Sequence, residues 1–302
     1  MFEAVFLTVI TASTPLLIAA IGELVCERSG VLNLGVEGMM VMGAVCGFAA
    51  TVMTGSAPVG VLAGIAGGVF MAMLFAVMVL TFAANQVASG LALTIMGLGL
   101  SGLIGTSFVG QQIGAVPKLH IPGLSDIPLV GSVLFGQDAF VYASFALVAL
   151  VWWFLNRTRA GLVLRAVGDS HVSAHALGHP VLKVRFLAIV FGGACSGLAG
   201  AYLSMAYTPF WVQGMTAGRG WIALALVVFS SWLPGRVVIG AYLFGAVSIL
   251  QLYAQGTGLG IPSQLMSALP YLATILVLVL ISGVRSRTGA PATLGIPFVP
   301  DR

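Results

Sequence analysis

Residues 58–81 read PVGVLAGIAGGVFMAMLFAVMVLT and contain no Asp, Glu, Lys or Arg. As a helix rising 1.5 Å per residue this stretch is about 36 Å long, enough to cross the roughly 30 Å hydrocarbon core of a bilayer. Similar apolar segments fall at about 2–22, 31–53, 88–109, 138–156, 184–205, 219–233, 237–256 and 266–284. Runs of this length fit membrane-spanning helices and not the shorter strands of a barrel. Composition agrees. Of 302 residues, 59% are hydrophobic and 7% charged, against about 25% charged in soluble domains. A water-soluble globule of this size lacks the means to cover so much apolar surface, and disorder is excluded on the same grounds. The fold class is therefore an all-α polytopic membrane protein with about nine transmembrane helices, within a range of eight to ten.

Charge gives orientation. The loop 157–185 carries Arg157, Arg159, Arg165, Lys183 and Arg185, and the tail carries Arg285, Arg287 and Arg302. Both are expected in the cytoplasm. An even number of spans must separate them, and segments six to nine supply four if the short seventh, 219–233, crosses and does not turn back. Counting from that loop puts the N-terminus outside, the C-terminus inside, and Arg28 and Arg236 inside as well. Only Lys118 and Arg219 then lie outside. The chain reads as one transmembrane domain over 1–302, with an external loop at 110–137, a cytoplasmic loop at 157–183 and a cytoplasmic tail at 285–302. The first charge is Glu3, so no cleavable signal is expected.

Several chemistries are disfavoured. The two lysines, Lys118 and Lys183, do not follow a glycine, so no phosphate-binding P-loop is present. Ser101 sits in Gly99-Leu100-Ser101-Gly102, but all four histidines lie in loops and offer it no base at membrane depth. No catalytic site is expected. His171, His175 and His179 share a helical spacing that suits a metal face or, equally, a solvated loop helix; Gly178 and Pro180 favour the second, and no metal site is assigned. Cys26, Cys46 and Cys195 read as small buried hydrophobes. Gly60, Gly64 and Gly68, then Gly97, Ser101 and Gly105, then Gly193 and Gly197, mark faces for close helix packing.

Two constellations remain. In ELVCERSGVLNLGVEGMM (23–40), Asn33 and Glu37 stand four residues apart where the second span begins, with Gly30, Gly35 and Gly38 interrupting helix propensity. Glu37 is either a near-surface anion at a helix N-terminus or part of a discontinuous helix facing a translocation path. Gln251 and Gln255 share a face of segment eight and, being amides that lipid cannot satisfy, are expected with Asn33 and Glu37 at the interior or a subunit interface. In TRAGLVLRAVGDSHVSAHALGHPVLKVRF (158–186), Ala160–Val167 and Ser170–Leu177 read as short amphipathic helices broken at Gly168-Asp169, with Asp169 or Ser170 as cap. This loop either lies on lipid headgroups or docks a cytoplasmic partner through Leu162, Leu164, Val167, Ala174 and Leu177, with Arg165 at the rim.

These two stretches, with AGRGWIALA (217–225) and Pro234-Gly235-Arg236, resemble the permease subunits of ABC importers. The resemblance spans nearly the whole chain and is to the branched-chain amino acid/simple-sugar superfamily, in its nucleoside-type branch paired with basic-membrane-protein-type binding lipoproteins. It implies a type II importer bundle with an inverted repeat, in the bacterial cytoplasmic (inner) membrane. It implies three partners: a separate ABC ATPase that uses ATP and Mg, a second homologous permease, and an external binding lipoprotein. This chain would bind no cofactor itself. The resemblance places Gly161, Arg165, Ala166, Gly168, Asp169, Ala174 and Gly178 in the ATPase-coupling segment, beside the apolar Leu164 and Leu177. The solute would be a nucleoside, purine or simple sugar. The alternative is a stand-alone secondary transporter or channel for a small neutral solute, which needs a coupling-ion site that Glu37 alone does not make.

Overall fold

The computed structural model describes residues 2–114, 116–119, 131, 135–256 and 289–300, with scattered positions between 265 and 279. In chain order the helices are α1 (Phe2–Arg28), α2 (Val36–Thr54), α3 (Ala57–Ala76), α4 (Gln86–Gly105), α5 (Ala139–Arg157), α6 (Arg159–Asp169), α7 (His171–Ala176), α8 (Val181–Tyr202), α9 (Arg219–Phe229) and α10 (Pro234–Gly256). One π turn extends α3 over Val77–Thr81 and another extends α8 over Leu203–Tyr207. Among the described residues there is no sheet, only the isolated bridges Gln112–Phe210 and Lys118–Asp138.

Seven of these helices are long and apolar enough to cross a membrane: Val5–Arg28, Val36–Thr54, Ala57–Thr81, Gln86–Phe108, Ala139–Arg157, Val181–Tyr207 and Pro234–Gln255. The ninth expected segment, 266–284, is described only at scattered positions, and the tail arginines Arg285, Arg287 and Arg302 and much of the 110–137 loop lie outside the described residues. The seventh expected segment forms only the 11-residue α9, about 16 Å long and half a hydrocarbon core.

Capping follows the sequence. Asn85 accepts from Ala88 N at α4, Asp138 from Phe140 N and Val141 N at α5, and Thr158 from Gly161 N at α6. These bonds satisfy amides that a helix start leaves orphaned. Burial holds the Asp138 carboxyl above its usual range, against the two backbone N–H bonds that pull it down.

The small-residue faces bring α2, α3 and α8 together. A Cβ on Gly64 would lie 2.6 Å from Ala201 Cβ and 2.9 Å from Gly43 O, and one on Gly97 would lie 2.7 Å from Gly38 Cα. Backbone therefore meets backbone, which in lipid supplies the packing that a hydrophobic effect between helices does not. Phe48, Phe75, Met39 and Met71 fill the core on one side. On the other, Leu17, Ile21 and Leu24 of α1 meet Ala199, Ile222, Val237 and Ala241.

One end of the bundle gathers Arg28, the C-terminus of α5, α6, α7, the start of α8 and the turn before α10; it is called the basic end below. Segment 289–300 also lies there, bonded to Arg28, Gly30, Gly168 and Arg185.

Candidate functional site

Two stretches of chain cross part of the bundle without helix. The first is 29–35. From the end of α1 it runs back alongside the helix it has just left: Asn33 N donates to Glu23 Oε1 (3.2 Å), and Leu32 N to Gln86 Oε1 (2.8 Å) on α4. Asn33 Oδ1 then accepts from Gly35 N (2.9 Å), closing the turn that launches α2. Thr94 Oγ1 donates to Leu34 O (3.1 Å). A Cβ on Gly38 would lie 2.8 Å from Leu93 O and Thr94 Cα. That contact is about 12 Å along α4 from Gln86. The start of α2 therefore lies well inside the bundle.

The second stretch is 208–218, which follows the π turn of α8. Ile113 N donates to Pro209 O (3.2 Å) at the end remote from the basic one. From there the chain descends α4, with the Trp211 ring against Gly105 and the Gln213 amide against Gly102. It stops at Glu37. Thr216 Oγ1 (2.6 Å) and Gly218 N (2.8 Å) donate to Glu37 Oε1, and Gly220 N (2.6 Å) donates to Oε2. Gly218, at φ +82°, is the N-cap of α9, which has no side-chain cap of its own. The carboxylate of another helix takes that place, where exposed N–H groups and the helix dipole favour an anion. Helix α9 then runs to the basic end. There Trp232 Nε1 donates to Glu27 Oε2 (2.5 Å), and Arg28 Nη2 donates to Trp232 O (2.9 Å). Segment 208–233 thus goes from one end of the bundle to the other, half as irregular chain and turns and half as helix.

The expected path residues are not gathered in one place. Asn33 and Glu37 are buried at the first break, and Glu37, only 4% exposed, is enclosed by the bundle. Gln251 lines a separate cavity of about 290 Å³ with Tyr207, Arg219, Ser248 and Phe244, and Gln255 is exposed. Arg219, expected in an external loop, is at the first turn of α9. It donates to Met215 O (3.1 Å) and Thr216 O (3.3 Å), with its guanidinium 5.5 Å from the Tyr207 ring.

The 158–178 segment forms two helices, but with a different face outward. Leu164, Val167 and Ala174 are buried within the protein, so they are not available to a partner's groove; Leu164 packs with Val25, Val151 and Leu155. Leu162, Val172 and Leu177 are exposed. The break falls at Ser170, whose Oγ accepts from Ser173 N (3.2 Å), so Ser170 and not Asp169 caps α7. Gly168 allows close approach, since a Cβ there would strike Arg28 O, and Gly161 does the same at Phe154 O. Gly178, at φ +83°, turns the chain after α7. Ala166 and Asp169 are exposed, and Arg165 is half-buried with its Nε unpartnered.

Arg185, fully buried, ties this region to the first break. It donates to Ser29 O (3.2 Å), Ile296 O (3.1 Å) and Thr293 Oγ1 (3.3 Å), and its Nη2 lies 3.3 Å from His171 Nδ1. Burial, then the Arg185 charge, hold His171 below the usual imidazole range. The ring is then neutral, with Nδ1 as acceptor. Sequence reasoning missed Thr216, Gly218, Gly220, Trp232, Arg185, Thr293 and Phe298. The glycines flanking Arg219 were the available signal for the α9 junction; the others carry no local signature.

With this geometry in view, comparison with known proteins defines the class. Residues 5–281 match the family described as branched-chain amino acid transport system/permease component, and the chain belongs to that family of ABC transporter permeases. It is 43% identical over 291 residues to a candidate glucose ABC transporter permease of Haloferax volcanii, covering 89% of this chain and 88% of that one. It is 32% identical over 303 residues to a guanosine ABC transporter permease of Bacillus subtilis (95% and 93%), and 31% identical over 306 residues to a nucleoside ABC transporter permease of Lactococcus lactis (96% and 95%). A solved candidate metal-chelate-type ABC transporter, in an inward-facing conformation, shares the fold at TM-score 0.51 and 17% identity, covering 92% of this chain and 85% of that one. The protein is a multi-pass ABC transporter permease, a transport component that works with an ATPase and a binding protein.

Proposed function

We propose that this chain is one of two permease subunits of an ATP-driven importer for a nucleoside or simple sugar. The observation that carries the reading is the junction at Glu37: two discontinuous crossings, entering from opposite ends, meet inside a chain that matches ABC permeases over almost its whole length. Helix termini opened by unwound chain are where transporters place solute and gating elements. The relatives of named function include permeases named for nucleosides and for the sugars glucose and galactofuranose. Both solute classes are neutral and rich in hydroxyls, which suits a path with few charges. Asn33, Glu37, Gln251 and Gln255 are assigned to the path or to the seam with the second permease.

On this reading the whole chain is a single transmembrane domain. The N-terminus is external and the basic end faces the cytoplasm, with nine crossings if 208–233 and 266–284 each cross once. The two breaks, approaching from opposite ends, are the core of an inverted repeat. Residues 158–178 dock an ATPase that binds ATP and Mg, with Leu162, Val172 and Leu177 as the free apolar side chains, Arg165, Ala166 and Asp169 at the surface beside them, and Gly161, Leu164, Gly168, Ala174 and Gly178 shaping the support and the turns of the chain. This chain itself binds no nucleotide and makes no bonds. Two guanosine permeases of Bacillus subtilis both align with it, at 32% and 24% identity, which favours a heterodimer, with a lipoprotein delivering solute in the cytoplasmic membrane.

The test of substrate is thermal shift of the cognate binding protein against nucleosides, bases and sugars, followed by uptake of the hit into proteoliposomes. Uptake that needs the ATPase, ATP and the binding protein is expected. Uptake by this chain alone would establish the stand-alone transporter instead.

A further inference from the structure

Segment 289–300 touches both halves of the proposed machinery. Thr293 N (3.0 Å) and Oγ1 (2.6 Å) both donate to Gly168 O at the end of α6. Gly295 N donates to Gly30 O (3.2 Å) in the first break. Arg28 Nη1 donates to Gly289 O (3.0 Å), and Arg185 bonds Ile296 O and Thr293 Oγ1 while also holding Ser29 O and His171. Phe298 is buried in a small apolar cluster with Val167, Ala174 and Val181, its ring 5.1 Å from that of His171 and 5.3 Å from that of His175.

Helix α7 has six residues, too few to hold its shape without packing. Its larger apolar residue Val172, and Leu177 just after it, are exposed, and its cover on the bundle side comes from Phe298. A load applied to α7 therefore reaches the 29–35 break by three routes: Gly168 against Arg28 and Gly30, Arg185 between His171 and Ser29 O, and the 289–300 segment, which is bonded to Gly168, Gly30 and Arg185.

We infer that residues 289–300 form a strap that makes α6, α7 and the 29–35 break move as one body, and that Thr293 and Phe298 are positioning residues for the coupling of ATP hydrolysis to transport. This rests on the reading of α6–α7 as the ATPase-facing element. The strap carries no solute contact and no nucleotide contact. It fixes the angle at which α7 meets the bundle, so motion at α7 is delivered to the start of α2 and, through Glu37, to α9.

The test is the double variant Thr293→Val with Phe298→Ala in the complete transporter, reconstituted with its ATPase, second permease and binding protein. The ATPase is expected to co-purify and hydrolyse ATP within about two-fold of wild type, while solute imported per ATP falls at least about five-fold, a coupling loss of the usual size. Thr293→Ser with Phe298→Leu keeps the hydroxyl and the apolar cover, and should restore the ratio. Loss of the ATPase, or hydrolysis and uptake falling together with the ratio unchanged, overturns the inference in favour of a docking or merely structural tail. Amide exchange over 29–35 in the permease pair without ATPase is an independent readout. It should rise by about ten-fold in the double variant, as a local opening made easier. Unchanged exchange refutes the strap itself. Raised exchange with an unchanged transport ratio refutes its coupling role and points to a fault in the ATPase-facing reading of α6–α7.

Discussion

The two breaks solve the same physical problem by different means. Each must satisfy backbone polar groups at a depth where lipid offers none. The 29–35 break largely satisfies itself and its near neighbours: Asn33 caps Gly35 two residues on, and Glu23 reaches it from the helix just completed. The 208–218 break relies on a distant residue. Its last amides and Thr216 converge on Glu37, some 180 positions away in sequence. The first break is thus a local motif braced by tertiary contacts, whereas the second, a run of local turns over 212–219, is anchored at its end by one distant carboxylate. A local motif tolerates the loss of one bond, and a clamp built on one carboxylate does not.

The sharpest way to break that comparison is to remove the clamp. Glu37→Ala leaves Thr216, Gly218 and Gly220 without their shared acceptor, and should cost about 3–5 kcal/mol, as for loss of one buried partner of a charged group. Thermal unfolding of the purified permease reads this, and uptake should be abolished. Glu37→Gln keeps a carbonyl for Thr216 and Gly218 but sets its NH2 against Gly220 N–H, so roughly half that loss is expected. Equal stability for wild type and both variants would mean that the second break holds itself.

Crowding tests the depth at which the breaks meet. Gly38→Val places new carbon against Leu93 O and Thr94 Cα, an overpacking of about 1–3 kcal/mol. A lowered melting temperature together with a wider α2–α4 separation by cysteine cross-linking is the expected pair of results. Thr216→Val removes one of the three clamp bonds and should cost about 1–2 kcal/mol, with uptake reduced several-fold. The smallest effect belongs to the first break. Asn33→Ala loses the Gly35 bond and the weak contact from Asn33 Nδ2 to Met39 Sδ (3.5 Å), together about 1 kcal/mol, because Glu23, Gln86 and Thr94 still hold 32–34. A loss for Asn33→Ala larger than for Thr216→Val would reverse the ranking of local over distant support.

The same distinction governs what could be read from the sequence. Long apolar runs mark α1–α5, α8 and α10 because a span must be apolar along its whole length. The split of 158–178 into two helices is legible from Gly168 and Ser170. Which face of those helices is buried is not, because Leu162 and Leu164 are chemically alike and only the fold sets one outside and the other in the core. Counting spans puts Arg219 outside, at the start of segment seven, since a composite crossing of turns and short helix has no hydropathy signature. The partners of Glu37, and those of Arg185 other than His171, lie more than a hundred residues away in sequence, beyond any pattern of spacing. The polar residues within the spans pointed to a region of interest, and the partners came only with the three-dimensional arrangement.

The distance along the chain between Glu37 and its clamp also sets an order of events during synthesis. Helix α2 leaves the ribosome roughly 10–40 s before Thr216 at the usual pace of elongation. For that interval its carboxyl group must be lodged in the membrane without the donors that later surround it, a costly state for an ionisable side chain. The nascent chain therefore holds α2 in a provisional position, near the headgroups or against the insertion machinery. Only when 208–220 is made can α2 settle to its final depth. Assembly of the bundle is thus completed from its middle outward, by a residue near the start waiting for one in the second half.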